Sequence, residues 1–576
     1  MKDFAILLDA LSNTPARNGK LTLLRNYFRA SADPDRGFAL AALTDEMPVT
    51  IPLRRVLTDL SESRFDPVLF KYSRDYVGDT AETLSLMWPD IGSGGSPLRL
   101  SEIVELVKMT SGQRLAEQIA NWLNGMDTNE RWALLKFLSG ALRVGVSARL
   151  AKLSIAQAFV HNPEEIEELW HGLRPPYVEL FQWLEGKAPR PVSADVPTFK
   201  PLMLSNPLED KDWDALDLKD MAVEWKWDGI RVQFASRGNV VSLFSRNGDD
   251  ISAAFPEIVG NQNFKGILDG ELLVKHGEAI ASFSDLQQRL NRKTVNPGLL
   301  KKYPAHIRLY DALELDGEDL RPLSYDERRK RLELWHAGRP PHHTDLSPLV
   351  FPTNKVDLRK MWESTREGGI EGLMIKLRHS PYIAGRPQGN WWKWKRTPLT
   401  ADCVLMYAQR GSGKRSSFYS DYTFGVWKQE EDERVLVPVG KTYSGFTDAE
   451  LLRIDKFIRE NTKERFGPVR SVSPELVFEI AFDAINVSKR HKAGLAMRFP
   501  RISRIRWDKP AAEADELTSL LKLASEFRTG ASQLHGSSGN FEALPAFRHF
   551  KSQVEKLPCR RKKISKPGSG KPSSRT

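Results

Sequence analysis

Apolar residues recur at three- and four-residue spacing in FAILLDAL (Phe4–Leu11), LSEIVELVKM (Leu100–Met109) and RWALLKFLSGAL (Arg131–Leu142). That period lines one face of a helix, so residues 1 to about 185 are predicted to be helical. Gly186 to Pro201, GKAPRPVSADVPTFKP, is rich in proline and small residues and reads as a linker. From Met221 the pattern shortens to β-like runs, MAVEWKW, RVQFAS, VVSLFS and GILDGELLV, cut by Gly, Asn and Asp turns. Two helical segments intervene, SFSDLQQRLNRK (Ser282–Lys293) and SYDERRKRLELW (Ser324–Trp335), which predicts an α+β domain with antiparallel sheets. After Trp394 the runs ADCVLMYA, YTFGVWK, RVLVPVGK and ELVFEIAF are almost entirely strand and turn, the pattern of a small β-barrel. Beyond about Arg528 periodicity is lost and Ser, Gly, Lys and Pro dominate, which predicts disorder.

Composition narrows the class. The 576 residues are 40% hydrophobic and 28% charged, a globular balance with room for three or four domains. Two cysteines, Cys403 and Cys559, exclude a disulfide framework and a four-cysteine zinc site. The N-terminus lacks a signal-peptide core and no later run is long and apolar enough to span a bilayer, so a soluble, cytoplasmic protein is expected. Of the net charge of +11, the stretch from Lys551 to Thr576 contributes +8 through nine basic residues against Glu555, leaving +3 elsewhere. The tail therefore suits contact with a polyanion, and the body is nearly balanced.

One short pattern at a strand end, Lys226-Trp227-Asp228-Gly229 with Arg231, offers a lysine nucleophile beside a glycine turn. Alone it fits a surface lysine before a turn better than a nucleophile. An ordered series follows it: SRNG (Ser245–Gly248), LDGE (Leu268–Glu271), LYDAL (Leu309–Leu313), EGLMIK (Glu371–Lys376), WWKWK (Trp391–Lys395) and RFPRISRIRWDK (Arg498–Lys509). The whole series resembles the collinear motifs of the ATP-dependent DNA ligases, within the superfamily of lysine nucleotidyltransferases that also holds RNA ligases and capping enzymes.

A neutral amine must attack the α-phosphate of ATP, and neighbouring cations with partial burial favour that form. Lys376, Lys393 and Lys395 supply such cations and can neutralise charge that develops on phosphate, although WWKWK alone also reads as a strand with one wet face. The resemblance implies that Lys226 becomes adenylylated, that Glu271 and Glu371 hold Mg2+, that Tyr310 stacks on adenine and that Glu224 reads its exocyclic amine. It likewise assigns Arg231 and Arg246 to sugar and phosphate, and Arg498, Arg501 and Lys509 to the β,γ-phosphates. Trp225 and Trp227 are expected to pack. A hinge is expected near Lys395 to Thr400, since a barrel that approaches ATP and later grips DNA must rotate.

LSGALRVGVSARLAKLSIAQAF (Leu138–Phe159), with Arg143 and Gly145 before a helix, suits DNA phosphates and resembles the helical DNA-binding domain of larger ligases. The expected organisation is a helical DNA-binding domain at 1–190, an adenylation domain at 200–396, an OB-fold barrel at 399–525 and a disordered basic tail at 528–576. A monomer encircling nicked duplex DNA, nucleoid-associated and of bacterial repair type, follows by resemblance. The alternatives are an RNA ligase or capping guanylyltransferase, an NAD-dependent enzyme, and a scaffold without activity. GSGKR (Gly411–Arg415) lacks the first glycine and the Ser/Thr of a phosphate loop, with Ala408 and Arg415 in their places, and His342-His343 has no third ligand nearby.

Overall fold

The structure, a computed structural model, describes residues 1–524 apart from 50, 52, 90–97, 141, 192–195, 291, 293, 367–369, 412–417, 432, 489, 490 and 492. The predicted basic tail and most of the GSGKR turn lie outside the described residues.

Helices fill the N-terminal region from Lys2–Asn13 to Val178–Leu184. Their ends follow local chemistry: Asp127 and Glu130 form a capping box at the start of Thr128–Ser139, and Gly140 closes that helix at φ 67°. Leu8, Leu24, Phe28, Leu134, Phe137 and Phe181 sit in one shared apolar core, the stripe that the three- and four-residue spacing predicts. The end of the predicted linker is not free. Phe199 is buried against Phe244, with ring centroids 6.1 Å apart, because an aromatic beside a strand face gains more from burial than from solvent.

The middle region supplies strands β1 (Asn206–Pro207), β2 (Met221–Trp227), β3 (Ile230–Arg237), β4 (Val240–Ser245), β5 (Gly266–His276), β6 (Ala279–Ile280), β7 (Ala305–Leu315), β8 (Glu318–Asp319), β9 (Thr344–Leu346), β10 (Leu349–Val350), β11 (Ile370–Leu377) and β12 (Trp391–Lys395). They form two sheets, ordered β1-β12-β11-β2-β10 and β4-β3-β5-β7-β8, with β6 on β5 and β9 on β7. Ala222 and Trp391 of the first sheet share a core with Ala235, Ile267 and Leu313 of the second, so the sheets face each other. Val223, Leu373, Ile375 and Trp392 point the opposite way and pack under Leu358 of helix Lys355–Glu363. Helix Tyr325–Gly338 carries Arg328 into the interior, where it makes a two-pronged ion pair with Asp311 at 2.9 Å, both side chains fully buried. The predicted helix in 282–293 is shorter, Phe283–Gln287.

The C-terminal region is β-rich: Leu399–Arg410, Tyr419–Glu430, Glu433–Thr442, Thr462–Phe466, Val469–Val472, Val477–Phe482 and Arg501–Arg506 pair into one antiparallel sheet. It also contains a helix, Asp448–Glu460, in a stretch expected to be almost entirely strand and turn. Thr447 and Glu450 form its capping box, and Leu451, Ile454 and Ile458 are its buried stripe.

The N-terminal and middle regions meet at Glu168, which accepts from Lys200 at 3.3 Å and Arg321 at 2.9 Å. Beside it His171 packs on Phe244 with ring centroids 4.2 Å apart. Burial, then Lys152, pushes the His171 imidazole down to about 4.

Two outcomes follow. Arg328→Met leaves the Asp311 carboxylate buried and unpaired, so the urea midpoint should fall by an amount equivalent to about 3–5 kcal/mol. A folded-state value below that of free histidine means that the unfolded chain binds the extra proton between about pH 6.5 and 4. Stability should therefore drop as pH falls through that window, and His171→Phe should remove about 1–3 kcal/mol of the dependence, read from urea unfolding at pH 7 and pH 5.

Candidate active site

The register of three strands builds one cationic face. Gly372 of β11 lies opposite Lys226 on β2 and Lys395 on β12, Met374 opposite Glu224 and Lys393, and Lys376 opposite Ala222 and Trp391. Side chains two residues apart share a face of a strand, so Glu224, Lys226, Lys376, Lys393 and Lys395 project together into the cleft between the sheets. Simple alternation would send Glu371 to the other face. A β-bulge between Ile370 and Gly372 turns it back, and its carboxylate pairs with both Lys226 and Lys395, the latter at 3.0 Å. Gly372 is required at φ 153° because the Trp394 carbonyl occupies the space where a Cβ would stand.

The opposite wall comes from β3, β5 and β7. Arg231 grips fully buried Asp269 with two nitrogens, at 3.0 and 2.6 Å, and also donates to the Met203 carbonyl at 2.7 Å and the Tyr382 hydroxyl at 3.0 Å. Burial disfavours the guanidinium charge, but Asp269 outweighs it and holds Arg231 well above its ordinary value. Tyr310 stands at a second bulge, where Asp269 faces Asp311 and Gly270 faces Leu309. Its ring lies 4.9 Å from the Lys376 ammonium. The turn between β2 and β3 needs Gly229, since a Cβ there would come within 2.8 Å of the Glu271 side chain.

Charge is densest around the nucleophile candidate. Burial lowers Lys393, and Arg386, Lys395, Lys226 and Arg246 lower it further. Burial pushes Glu271 up to about 8, with Lys226 opposing and Glu371 adding to the rise. Glu371 is held down: burial would raise it, but Lys226 and Lys395 prevail. Two half-buried carboxylates that repel each other beside a cleft, both oxygen donors, fit a hard divalent cation. Deeper in, Lys376 donates to Glu224 at 2.6 Å, both almost fully buried.

From the C-terminal region, Arg498 reaches Asp228 at 2.5 Å and lies over the Phe283 ring at 3.9 Å. Arg501 pairs instead with Asp483 at 3.0 Å, and Lys509 with Asp402 at 2.7 Å. Of the three basic residues expected at the phosphates, this arrangement brings Arg498 to the cleft and engages the other two within their own region. Arg246 is exposed on the turn after β4. Trp227 packs as expected, its indole donating to Ser347 at 3.1 Å under the Arg308 guanidinium. In the N-terminal region Arg143 and Gly145 both take left-handed backbone conformations, φ 48° and 68°, just before helix Ala148–Phe159.

Sequence reasoning missed Asp269, Tyr325, Tyr382 and Arg386. Asp269 lay inside a quoted motif, LDGE, and its immediate approach to Arg231 depends on the β3–β5 register. Tyr325 and Tyr382 carry no short-range signal, since strand pairing and helix packing alone bring them in. Arg386 stands a few residues before WWKWK and could have been found by extending that motif.

A family model described as ATP dependent DNA ligase domain matches residues 202–395, and a second, ATP dependent DNA ligase C terminal region, matches 415–509. The chain is 30% identical to the "Probable DNA ligase" of Koribacter versatilis over 93% of its own length and 98% of that protein. It is 29% identical to "DNA ligase 1" of Korarchaeum cryptofilum over 90% of its length and 97% of that protein. A solved structure named Pmar-Lig_Pre shares the fold over 88% of this chain and 99% of its own, with TM-score 0.56 and 17% identity. With half of the chain matched by the two models and a bacterial relative matched almost end to end, the chain belongs to the ATP-dependent DNA ligase family.

Proposed function

We propose that this chain seals 5′-phosphate/3′-hydroxyl nicks in duplex DNA, with Lys226 as the adenylylated residue. The observation that carries the assignment is the position of Lys226 on the cationic face, between Glu371 and the β2–β3 turn. The Nζ lone pair attacks the α-phosphorus of ATP, the bond to the bridging oxygen breaks and pyrophosphate leaves with its electrons. The amine gives up its proton and a phosphoramide-linked AMP remains. A 5′-phosphate oxygen then attacks that phosphorus and the P–N bond breaks. Finally the 3′-hydroxyl attacks the activated 5′-phosphate and AMP departs. Splitting the reaction turns a poor leaving group into a good one.

Lys226 is paired with Glu371, so its release from that carboxylate precedes attack. Lys393 and Lys395, with Arg246 and Arg386 near them, offset the charge that develops on phosphate. Tyr310 offers a face for adenine, and Glu224 an edge contact to its amine. Arg231, with its donors taken by Asp269, Met203 and Tyr382, supports the wall as well as facing the nucleotide. Glu271 and Glu371 would hold Mg2+, which supplies charge neutralisation on the triphosphate. Arg501 and Lys509 join Arg498 at the β,γ-phosphates only after trading their present partners.

The boundaries 1–190, 200–396, 399–525 and 528–576 fit this division of labour, with helices on DNA, two facing sheets on ATP and an OB-fold barrel that closes on both. A monomer suffices to surround a nick. No helix among the described residues is long and apolar enough to cross a membrane.

The test is incubation with α-labelled ATP and Mg2+ followed by denaturing electrophoresis. Wild type should give a labelled band that nicked DNA discharges; Lys226→Ala and a chelator should each abolish it. Label from GTP or NAD but not ATP would overturn the assignment. A second experiment separates the steps. Arg498→Ala should slow labelling by roughly 10²–10³-fold, while closure of a pre-adenylylated nick, which needs no pyrophosphate departure, should change far less.

A further inference from the structure

We infer that Tyr325 sets the nucleotide selectivity of this chain by fixing the orientation of the Glu224 carboxylate. The inference rests on Glu224 reading the base amine, as proposed above, and adds the residue that makes that reading selective.

Two donors converge on a single oxygen of Glu224. The Tyr325 hydroxyl donates to Oε1 at 2.5 Å and the Lys376 ammonium to the same atom at 2.6 Å. Among the described residues no donor reaches Oε2 within hydrogen-bond distance. A carboxylate only accepts, so an oxygen left without a protein donor can take an amino group on a purine, and it gains nothing from a base that lacks one. A site built for a hydrogen bond discriminates through the cost of leaving its buried polar group unpaired.

The two donors do different work. An ammonium on a four-carbon stem neutralises charge but imposes little direction. Lys376 is moreover surrounded by the rings of Tyr310, Tyr325 and Trp391, each centroid 4.7–4.9 Å from its nitrogen. A tyrosine hydroxyl on a rigid ring defines a direction if its backbone is fixed, and that of Tyr325 is. It is the first residue of helix Tyr325–Gly338, capped by Ser324. Three contacts from its first residues pin that end: Asp326 to Arg378 at 3.1 Å, Arg328 to Asp311, and Arg329 to the Ser347 carbonyl at 2.8 Å. Burial, then Glu224, holds the phenol well above its ordinary value, so it stays a donor. Tyr325 is thus a positioning residue.

The test compares wild type, Tyr325→Phe, Glu224→Gln and the double variant in the rate of nucleotidyl transfer to Lys226. Each is measured with ATP and with the purine ribonucleoside triphosphate that lacks the 6-amino group. The ratio of the two kcat/KM values from one preparation cancels the folded fraction, so a destabilised variant still reports. Tyr325→Phe should lower the preference for ATP by roughly tenfold, through KM for ATP, and should lower it no further in the Glu224→Gln background. A lowered ratio in Glu224→Gln with an unchanged ratio in Tyr325→Phe would overturn the role of Tyr325 and leave the base reading intact. An unchanged ratio in Glu224→Gln would overturn the base reading itself. Equal effects of Tyr325→Phe in both backgrounds would mark a merely structural residue and also overturn the inference.

Discussion

Four lysines on one face of a small sheet would repel one another if nothing answered their charge, and the carboxylates that answer it organise the whole cleft. Glu371 holds Lys226 and Lys395 together, and Glu224 holds Lys376. Each pair spans neighbouring strands, so the electrostatics and the strand register depend on each other. A one-residue slip of β11 against β2 would send Lys376 to the face packed under Leu358 and away from Glu224. The cost of burying such charges is large unless they are paired, and at Lys376–Glu224 the pairing is nearly free of solvent. At Lys226–Glu371 it is more open to solvent, each side chain being about one-fifth exposed.

The opposite wall repeats this logic with different chemistry. Asp269 and Asp311 are both fully buried and each is answered by a two-pronged arginine, Arg231 and Arg328. Arginine suits these places because its fork meets a carboxylate along two parallel bonds and its charge is not easily lost. Arg231 belongs to a strand and Arg328 to a helix, so the two pairs tie sheet, helix and the segment around Tyr382 into one rigid body. Rigidity here matters for chemistry, because a nucleotide held a fraction of an ångström out of line reacts slowly.

Much of this was legible in the sequence, and the failures share a cause. WWKWK alternates, so Lys393 and Lys395 could be placed on one face without a structure; Lys226 and Glu224 follow by the same parity. Glu371 breaks parity, and only the bulge before Gly372 puts it beside Lys226. Helix Asp448–Glu460 was hidden among strands although its capping pair, Thr447 and Glu450, was visible in the chain. The partners of Arg501 and Lys509 were not readable, since Asp483 and Asp402 reach them through strand pairing in the C-terminal sheet. Local rules give periodicity and caps, whereas the choice of ion-pair partner belongs to register and docking.

The Arg498–Asp228 contact links these scales. Asp228 lies two residues beyond Lys226, in the turn that Gly229 allows to sit against β5. An arginine from the C-terminal region that closes on this turn adds a cation beside Lys226 and at the same moment covers the cleft. Its ring contact with Phe283 is apolar on one side and charged on the other, which favours a guanidinium over an ammonium. The contact is exposed enough to break, at roughly one-fifth of full accessibility for each partner, so it can hold the regions together without locking them. A ligase needs that balance. In the proposed reaction an arginine too firmly bound to Asp228 would not yield to a phosphate, and one with no partner would leave the closed arrangement without support before ATP arrives.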